Sequence, residues 1–280
     1  MADNLTTLIE VEAFEKILSS GSSVFVFDCR FSLADDQYGR RGYAENHIPT
    51  AQYADLNQQL SAAIIPGKTG RHPLPARESF LAQVQDWGVR PDALIVAYDD
   101  SNGVYASRLW WMFRWLGHAK VVVLNGGIDA WAEAGYALTR DIPRYTRSDF
   151  KILCSLTLSI EADDVLLDER RLTDARELPR FRGEVEPIDP VAGHIPGASC
   201  LPFAENVAAG KFKSAAELKK RFNNAGIEEG SHVTCYCGSG VTAAHNILAL
   251  VHAGFPEPTL YAGSWSEWIT DPARPIASGD

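Results

Sequence analysis

The sequence predicts an α/β fold of two tandem domains, each a parallel sheet with helices on both faces. The chain has 280 residues, which is large for one globular core and suits two domains of about 100–150 residues each. Short motifs recur in the same order in the two halves. Within each half, short apolar runs of the buried-strand type alternate with helical patterns, and this alternation is typical of a mainly parallel sheet.

The repeat is carried by single residues and short motifs. The matching positions are Asp28/Asp174, Arg30/Arg176, His47/His194, Ile48/Ile195, Pro49/Pro196, Asp99/Cys237, Gly126/Gly263 and Trp131/Trp268. The spacing between the His-Ile-Pro motif and the Asp99/Cys237 position is about nine residues longer in the first copy, which indicates an insertion around residues 62–72. Because the Asp-x-Arg motif occurs in both copies, we expect it to form an ion pair or a turn that anchors the neighbouring loops.

The elements follow from the same patterns. Strands are predicted at residues 24–27, 94–98, 121–124, 233–236 and 259–261. Helices are predicted at residues 10–19, 79–87, 106–116, 215–224 and 242–253, with Ser79 and Ser214 as N-caps and Gly88, Gly117 and Gly254 as C-terminal stops. Residues 140–155 have no counterpart in either copy, so they are predicted as a linker between domains at 1–139 and 156–280.

Composition narrows the choice of partners and location. Acidic residues outnumber basic ones by 36 to 26, for a formal net charge of −10. Nucleic acids and anionic membrane surfaces are bound through basic patches, so we expect neither as a partner. No uncharged apolar run approaches the roughly 18–20 residues that span a bilayer, and the first residues, with Asp3, Glu10 and Glu12, do not resemble a signal peptide. Five cysteines in a chain of this size are expected as reduced thiols, which predicts a cytoplasmic protein.

The segment most informative about function is Cys-Gly-Ser-Gly-Val-Thr at residues 237–242, between a predicted strand and a predicted helix. Its two glycines let the backbone curl, so that successive N–H groups and the positive end of the helix dipole point into one concavity that favours an anion. Cys237 at the mouth of this loop is expected to be held as a thiolate and to act as a nucleophile. A buried structural cysteine is the alternative interpretation, but Gly-Ser-Gly has no packing value and favours a loop built around a ligand.

The tandem copies, the Asp-x-Arg motifs, the Gly-His-Ile-Pro-Gly-Ala turn at residues 193–198 and the loop at 237–242 resemble the two-domain rhodanese family over nearly the whole chain. The loop is most similar to that of 3-mercaptopyruvate sulfurtransferases, because Gly238 and Ser239 stand where thiosulfate sulfurtransferases typically carry basic residues. The resemblance implies two rhodanese-like domains, each with a five-stranded parallel sheet, and a first copy without catalytic activity. Asp99 supports the last point independently, since a carboxylate cannot accept a sulfane sulfur.

The resemblance also implies a reaction in two halves. The Cys237 thiolate takes the sulfur of 3-mercaptopyruvate as a persulfide and releases pyruvate enolate, which must gain a proton. A thiol, cyanide or a reduced thioredoxin-like protein then accepts the outer sulfur. The donor is a small molecule, and no cofactor or metal is implied.

The loop and two arginines are the expected substrate-binding groups. Gly238, Gly240, Val241 and Thr242 would hold the substrate and the anionic persulfide in the curled loop. The resemblance assigns the substrate carboxylate to Arg180, a bidentate role that suits a guanidinium, and Arg182 could share it. The family usually has a second such arginine shortly after a Glu-Pro pair, whereas here Ile188 follows that pair and no arginine precedes His194.

Three residues are expected to assist the nucleophile. The resemblance implies a Ser-His-Asp relay in which Ser239 is joined by a histidine and an aspartate from the first copy. His72 in His-Pro-Leu-Pro and Asp55 in Ala-Asp-Leu-Asn are the candidates. The insertion around residues 62–70 lies between them and makes their separation longer than in the family.

Other function classes fit less well. Thiosulfate:cyanide sulfur transfer is the main alternative, favoured by the missing arginine and opposed by Gly238 and Ser239. A cysteine phosphatase would need an arginine at Cys-x5-Arg, where Ala243 stands. A non-catalytic module that binds persulfides gains no support, because the cysteine, loop and arginine are all present. Cys235-x-Cys237 without a second pair is a weak metal signal.

Overall fold

The computed structural model describes residues 7–280; residues 1–6, including Asp3 of the segment considered as a signal peptide, lie outside the described residues. The chain forms two compact units. The first unit contains the chain up to Ser61 together with Pro75–Leu156, and the second contains Ala62–Leu74 together with Thr157–Asp280. The segment 62–74, which includes the predicted insertion, therefore belongs to the second unit. Residues 140–155, expected as a linker, contain no helix or strand and belong to the first unit.

The first unit is built on a five-stranded sheet with the order β1-β5-β4-β2-β3, and every neighbouring pair is parallel. Its strands are β1 (Leu8–Ile9), β2 (Val24–Asp28), β3 (Ala51–Tyr53), β4 (Leu94–Tyr98) and β5 (Val121–Leu124). Its helices are α1 (Val11–Ser19), α2 (Tyr38–Glu45), α3 (Arg77–Asp86), α4 (Val104–Trp115) and α5 (Gly127–Glu133).

Helices cover both faces of this sheet because alternate strand residues point to opposite sides. On one face, Val26 and Val96 join a core with Phe14 of α1 and Trp131 of α5. On the other face, Phe27 packs against the ring of Trp87, next to α3, at 4.7 Å and against Phe113 of α4 at 5.8 Å between ring centroids. The central strands are thus buried on both sides, which explains why they are continuous apolar runs in the sequence.

The second unit repeats this architecture, with the parallel order β6-β12-β11-β7-β8. Its strands are β6 (Leu158–Ile160), β7 (Arg171–Asp174), β8 (Ser199–Cys200), the hairpin strands β9 (Val207–Ala208) and β10 (Lys211–Phe212), β11 (Val233–Tyr236) and β12 (Thr259–Tyr261). Its helices are α6 (Leu178–Phe181), α7 (Ala215–Asn224), α8 (Val241–His252) and α9 (Ser264–Trp268), with short 3-10 turns at Ala162–Asp164 and Phe203–Asn206. The predicted fold class is confirmed in both units.

Most predicted elements agree with the structure to within two residues. Ser214 caps α7 through a capping box with Glu217, as predicted. Ser79 is not an N-cap: α3 begins at Arg77, directly after Pro75 and Ala76, so Ser79 lies inside its first turn. The edge strands, which have two or three residues each, were not predicted, and neither were the mostly polar strand β7 or the helices α2, α5, α6 and α9. Among residues 7–280, no helix is long and apolar enough to cross a membrane.

Candidate active site in the second unit

The predicted nucleophile lies where the central strand of the second sheet gives way to a buried helix. Strand β11 ends at Tyr236, Cys237 follows, and α8 begins at Val241. The Cys237 side chain is buried, and its Sγ accepts a hydrogen bond from the Gly240 N–H at 3.1 Å. The Cys237 N–H donates to Ser264 Oγ at 3.0 Å, and that hydroxyl donates to the Tyr261 carbonyl at 2.9 Å. The sulfur therefore faces a backbone donor inside a loop whose own backbone is fixed.

Gly240 is required at the tightest point of this loop. Its φ of +77° is in the left-handed region, and a Cβ there would stand 2.3 Å from the Ala262 carbonyl oxygen. The backbone of the loop thus approaches the end of β12 as closely as only glycine allows. This close approach turns the Gly240 N–H toward Cys237 Sγ.

The corresponding loop of the first unit already holds an anion, the Asp99 side chain. Asp99 Oδ1 accepts hydrogen bonds from the N–H groups of Ser101 and Gly103, both at 2.8 Å. Asp99 Oδ2 accepts from the N–H groups of Tyr105 and Ala106 in the first turn of α4, at 2.8 and 2.9 Å. A strand–loop–helix of this type is therefore an anion site in this fold, and in the first copy the carboxylate fills it.

The candidate relay residues are divided between the two units. His72 Nδ1 lies 2.8 Å from Ser239 Oγ, both side chains are buried, and the tautomer of the imidazole decides which atom donates. Asp55 belongs to the first unit, where its carboxylate accepts hydrogen bonds from Arg40 Nη2 at 3.1 Å and from the N–H groups of Asn57 and Gln58. His72 and Ser239 are brought together within the second unit.

Arg180 lies at the end of α6 and points toward the loop. Its Nη1 and Nη2 lie 3.8 and 3.7 Å from the point at which a Cβ on Gly238 would stand. Its Nε and Nη2 donate to both carboxylate oxygens of Glu186 at 2.8–3.2 Å. Burial opposes ionisation of Glu186, but the hydrogen bonds from Arg180 and from two backbone N–H groups outweigh it and lower the pKa of Glu186. Glu186 is therefore an ionised partner that orients the Arg180 fork.

Arg182 has different surroundings. It is partly exposed, its Nε donates to Asp280 Oδ1 at 2.6 Å, and its Nη1 lies 3.9 Å from a Glu184 oxygen. None of its described partners belongs to the loop 237–242. Of the two arginines expected at the substrate, only Arg180 adjoins this loop.

Two residues near the loop were not predicted from the sequence. Arg71 Nη2 lies 2.8 Å from the point at which a Cβ on Gly238 would stand, and Arg71 Nη1 forms a short ion pair with Asp189. Asp189 also accepts from Arg180 Nη2 at 3.2 Å, so its buried carboxylate bridges the two guanidinium groups. The sequence offered one signal for Arg71, its position next to His72 in the insertion.

The chemistry available here is that of a buried thiol with proton-carrying and cationic neighbours. In the part of the chain that the structure describes, no group of three His, Cys, Asp or Glu side chains is arranged to hold a metal ion. Cys235 is also unsuited to nucleophilic attack, because burial raises the pKa of its thiol to about 12.

Comparison with known proteins finds relatives that match this chain over most of its length. A family model for the rhodanese-like domain matches twice, at residues 10–134 and 159–271. The chain is 50% identical over 270 residues to a probable 3-mercaptopyruvate sulfurtransferase of Pseudomonas aeruginosa, covering 93% of this chain and 94% of that protein. It is 37% identical over 278 residues to a putative thiosulfate sulfurtransferase of Mycobacterium tuberculosis, covering 97% of each. The structure of a 3-mercaptopyruvate sulfurtransferase from Leishmania major matches with a TM-score of 0.84 and 31% identity, over 95% of this chain and 75% of that one.

Proposed function

Because the chain belongs to the rhodanese-like family, we propose that it is a sulfurtransferase that takes sulfur from 3-mercaptopyruvate through a Cys237 persulfide. Half of its residues are identical to those of a relative named for this donor. The observation that carries the choice of donor is the distance of 2.8 Å between His72 Nδ1 and Ser239 Oγ. Ser239 follows the nucleophile Cys237 by two residues. This pair can move a proton at the place where the donor needs one.

The first half of the reaction breaks the carbon–sulfur bond of the donor. The Cys237 thiolate attacks the donor sulfur, a sulfur–sulfur bond forms, and the electron pair of the broken bond moves to the methylene carbon as pyruvate enolate. The enolate gains a proton through Ser239 and His72 and leaves as pyruvate. The persulfide is held by the Gly240 N–H and the start of α8, as the matching N–H groups of the first unit hold the Asp99 carboxylate.

The second half returns the enzyme to its thiolate. A thiol, cyanide or a reduced thioredoxin-like protein attacks the outer sulfur, and the electron pair of the sulfur–sulfur bond returns to Cys237. Arg180 binds the donor carboxylate, with Gly238, Val241 and Thr242 lining the loop. The role expected for Asp55 stays a prediction. All five cysteines are free thiols, which suits the cytoplasmic location predicted from the sequence.

Thiosulfate is the second candidate donor. A relative 37% identical to this chain is named for it, and two guanidinium groups beside Gly238 suit a dianion. Its leaving group is sulfite, which departs as a stable anion and needs no proton. With thiosulfate as the donor, the Ser239–His72 pair would have no proton to transfer. The presence of this pair therefore favours 3-mercaptopyruvate as the donor.

We expect kcat/KM to be at least about tenfold higher for 3-mercaptopyruvate than for thiosulfate, a difference of about 1.4 kcal/mol in transition-state binding. The measurement is initial-rate kinetics of the wild-type enzyme with cyanide as the common acceptor. A higher value for thiosulfate would contradict the proposed donor and leave the fold and Cys237 intact.

Ser239→Ala is expected to lower kcat with 3-mercaptopyruvate by about 100-fold, the lower end of the range for general acid–base catalysis. With thiosulfate, kcat should change by less than about threefold, because sulfite needs no proton. The same variant measured with thiosulfate is therefore its own control for loop integrity. An equal fall with both donors would show that Ser239 shapes the loop and moves no proton.

A further inference from the structure

We propose that Arg71 is a second substrate-binding arginine, which binds the donor carboxylate together with Arg180. This inference rests on the proposed function, since it concerns the same donor. Segment 62–74 would then contribute a substrate-binding residue to the site in addition to His72.

Arg71 is fixed relative to the catalytic loop from two sides. Its backbone N–H donates to Ser266 Oγ at 3.1 Å, and the backbone N–H of Ser266 donates to the Gly238 carbonyl at 2.9 Å. Its side chain is held by the ion pair with Asp189, which also pairs with Arg180. Arg71 and the loop are thus both tied to Ser266, while Asp189 holds the Arg71 and Arg180 side chains together, so the guanidinium is pre-oriented before any substrate arrives.

The absence of a side chain at position 238 admits this guanidinium. A Cβ on Gly238 would stand 2.8 Å from Arg71 Nη2, closer than a carbon and a nitrogen approach in folded proteins. A side chain at position 238 would therefore have to displace the end of the Arg71 side chain from its present place beside the loop. Segment 62–74 thus adds a second positive charge beside Cys237 to that of Arg180, and a guanidinium can bind a carboxylate through two nitrogens.

Each arginine keeps one terminal nitrogen for the substrate. Among residues 7–280, Arg71 Nη2 and Arg180 Nη1 have no hydrogen-bond partner, and the acidic pair Glu186 and Asp189 occupies the other terminal nitrogens. Both unused nitrogens lie within 3.8 Å of one point beside Gly238. If the carboxylate of 3-mercaptopyruvate is placed there, each of its oxygens can accept one hydrogen bond. The sulfur on the methylene carbon of the donor then faces Cys237, which directly precedes Gly238.

The test is the affinity for 3-mercaptopyruvate and for pyruvate, the product that carries the same carboxylate. Arg71→Leu is expected to raise KM for mercaptopyruvate and the inhibition constant of pyruvate by about 10- to 100-fold each, with kcat lowered less than about threefold. Arg180→Leu should act in the same way. Lys68→Met removes one charge from an exposed position of the same segment and should leave both constants within about twofold.

Two further variants separate substrate binding from a purely structural role. Arg71→Lys keeps a charge for Asp189 but loses the second terminal nitrogen, so it should show an intermediate loss. Adding guanidinium ion to Arg71→Ala, at concentrations that leave the fold intact, should restore part of the pyruvate affinity. Unchanged constants in Arg71→Leu, or an equal loss in kcat without a change in pyruvate affinity, would overturn the proposal.

The outcome can be told apart from that of the donor comparison. A wild-type enzyme that prefers thiosulfate but binds pyruvate overturns the proposed donor, and the pyruvate affinity of Arg71→Leu still decides the role of Arg71. A wild-type enzyme that prefers mercaptopyruvate, with Arg71→Leu unchanged, overturns the role of Arg71 alone. A wild-type enzyme that binds neither mercaptopyruvate nor pyruvate overturns both.

Discussion

Cys237→Ser is expected to reduce sulfur transfer from 3-mercaptopyruvate and from thiosulfate by about a thousandfold or more. A serine hydroxyl stays protonated at neutral pH and forms no stable bond to sulfane sulfur, so neither donor can load the enzyme. The measurement combines steady-state rates with intact-protein mass after incubation with each donor. Wild-type enzyme should gain the mass of one sulfur atom, and the variant should gain none.

Cys235→Ala is the matched control for this variant. Cys235 lies two residues earlier, within β11, is fully buried and accepts a hydrogen bond from Thr173 Oγ1 at 3.4 Å. Because burial raises the pKa of its thiol to about 12, it is a neutral thiol at physiological pH and a poor nucleophile. The control should load sulfur as the wild type does. Substantial turnover by Cys237→Ser would mean that another residue is the nucleophile.

Central strands could be predicted from the sequence where they form apolar runs, but β7 (Arg171–Asp174), which is mostly polar, and the polar helix α2 (Tyr38–Glu45) were missed. The central strands β2, β4, β5 and β11 are buried on both faces and appear as apolar runs of four or five residues. Edge strands such as Leu8–Ile9 and Ser199–Cys200 have two residues each and carry no such pattern. Their position is set by register against a neighbour, which only the folded chain defines.

The candidate site divides in the same way. The loop at 237–242 is local in the sequence, so its glycines, its candidate nucleophile Cys237 and the start of α8 could be predicted together. The ion pair of Arg71 with Asp189 joins residues 118 positions apart, and no local pattern indicates it. The sequence showed that no arginine follows Glu186-Pro187, where the exposed Ile188 stands. It did not indicate that the Arg71 guanidinium lies beside the loop instead.

Opposite charges alternate beneath and beside the loop of the second unit. Asp174 pairs with Arg176, Arg176 Nη1 contacts Glu186 at 3.4 Å, and Glu186 holds Arg180. Asp189 then joins Arg180 to Arg71. The structural Asp-x-Arg pair predicted from the repeat is therefore connected through Glu186 to Arg180 and Arg71, the arginines proposed to bind the substrate. A change at Asp174 should affect stability first and substrate affinity second.

Asp174→Ala is expected to destabilise the second unit by about 3–5 kcal/mol, because it leaves the buried Arg176 without its main counter-charge. The Asp174 and Arg176 side chains are 0% and 1% exposed, and Arg176 also donates to the Gly193 carbonyl at 2.7 Å and lies 4.9 Å from the Trp265 ring centroid. Urea unfolding followed by tryptophan fluorescence measures the effect. Because a chain of two units need not unfold in one step, the transition that shifts in this variant is assigned to the second unit.

The double variant Asp174→Ala with Arg176→Met identifies the cause. It removes both charges, so it should be less destabilised than Asp174→Ala alone, since the largest cost of the single change is an unpaired buried guanidinium. Asp28→Ala makes the matching change at the Asp28–Arg30 pair of the first unit, where the two charged groups are 2.6 Å apart. It should lower stability while leaving KM for 3-mercaptopyruvate unchanged in the folded enzyme, whereas Asp174→Ala should raise that KM through Glu186 and Arg180. A loss of stability below about 1 kcal/mol in Asp174→Ala would mean that water or Glu186 compensates the charge of Arg176.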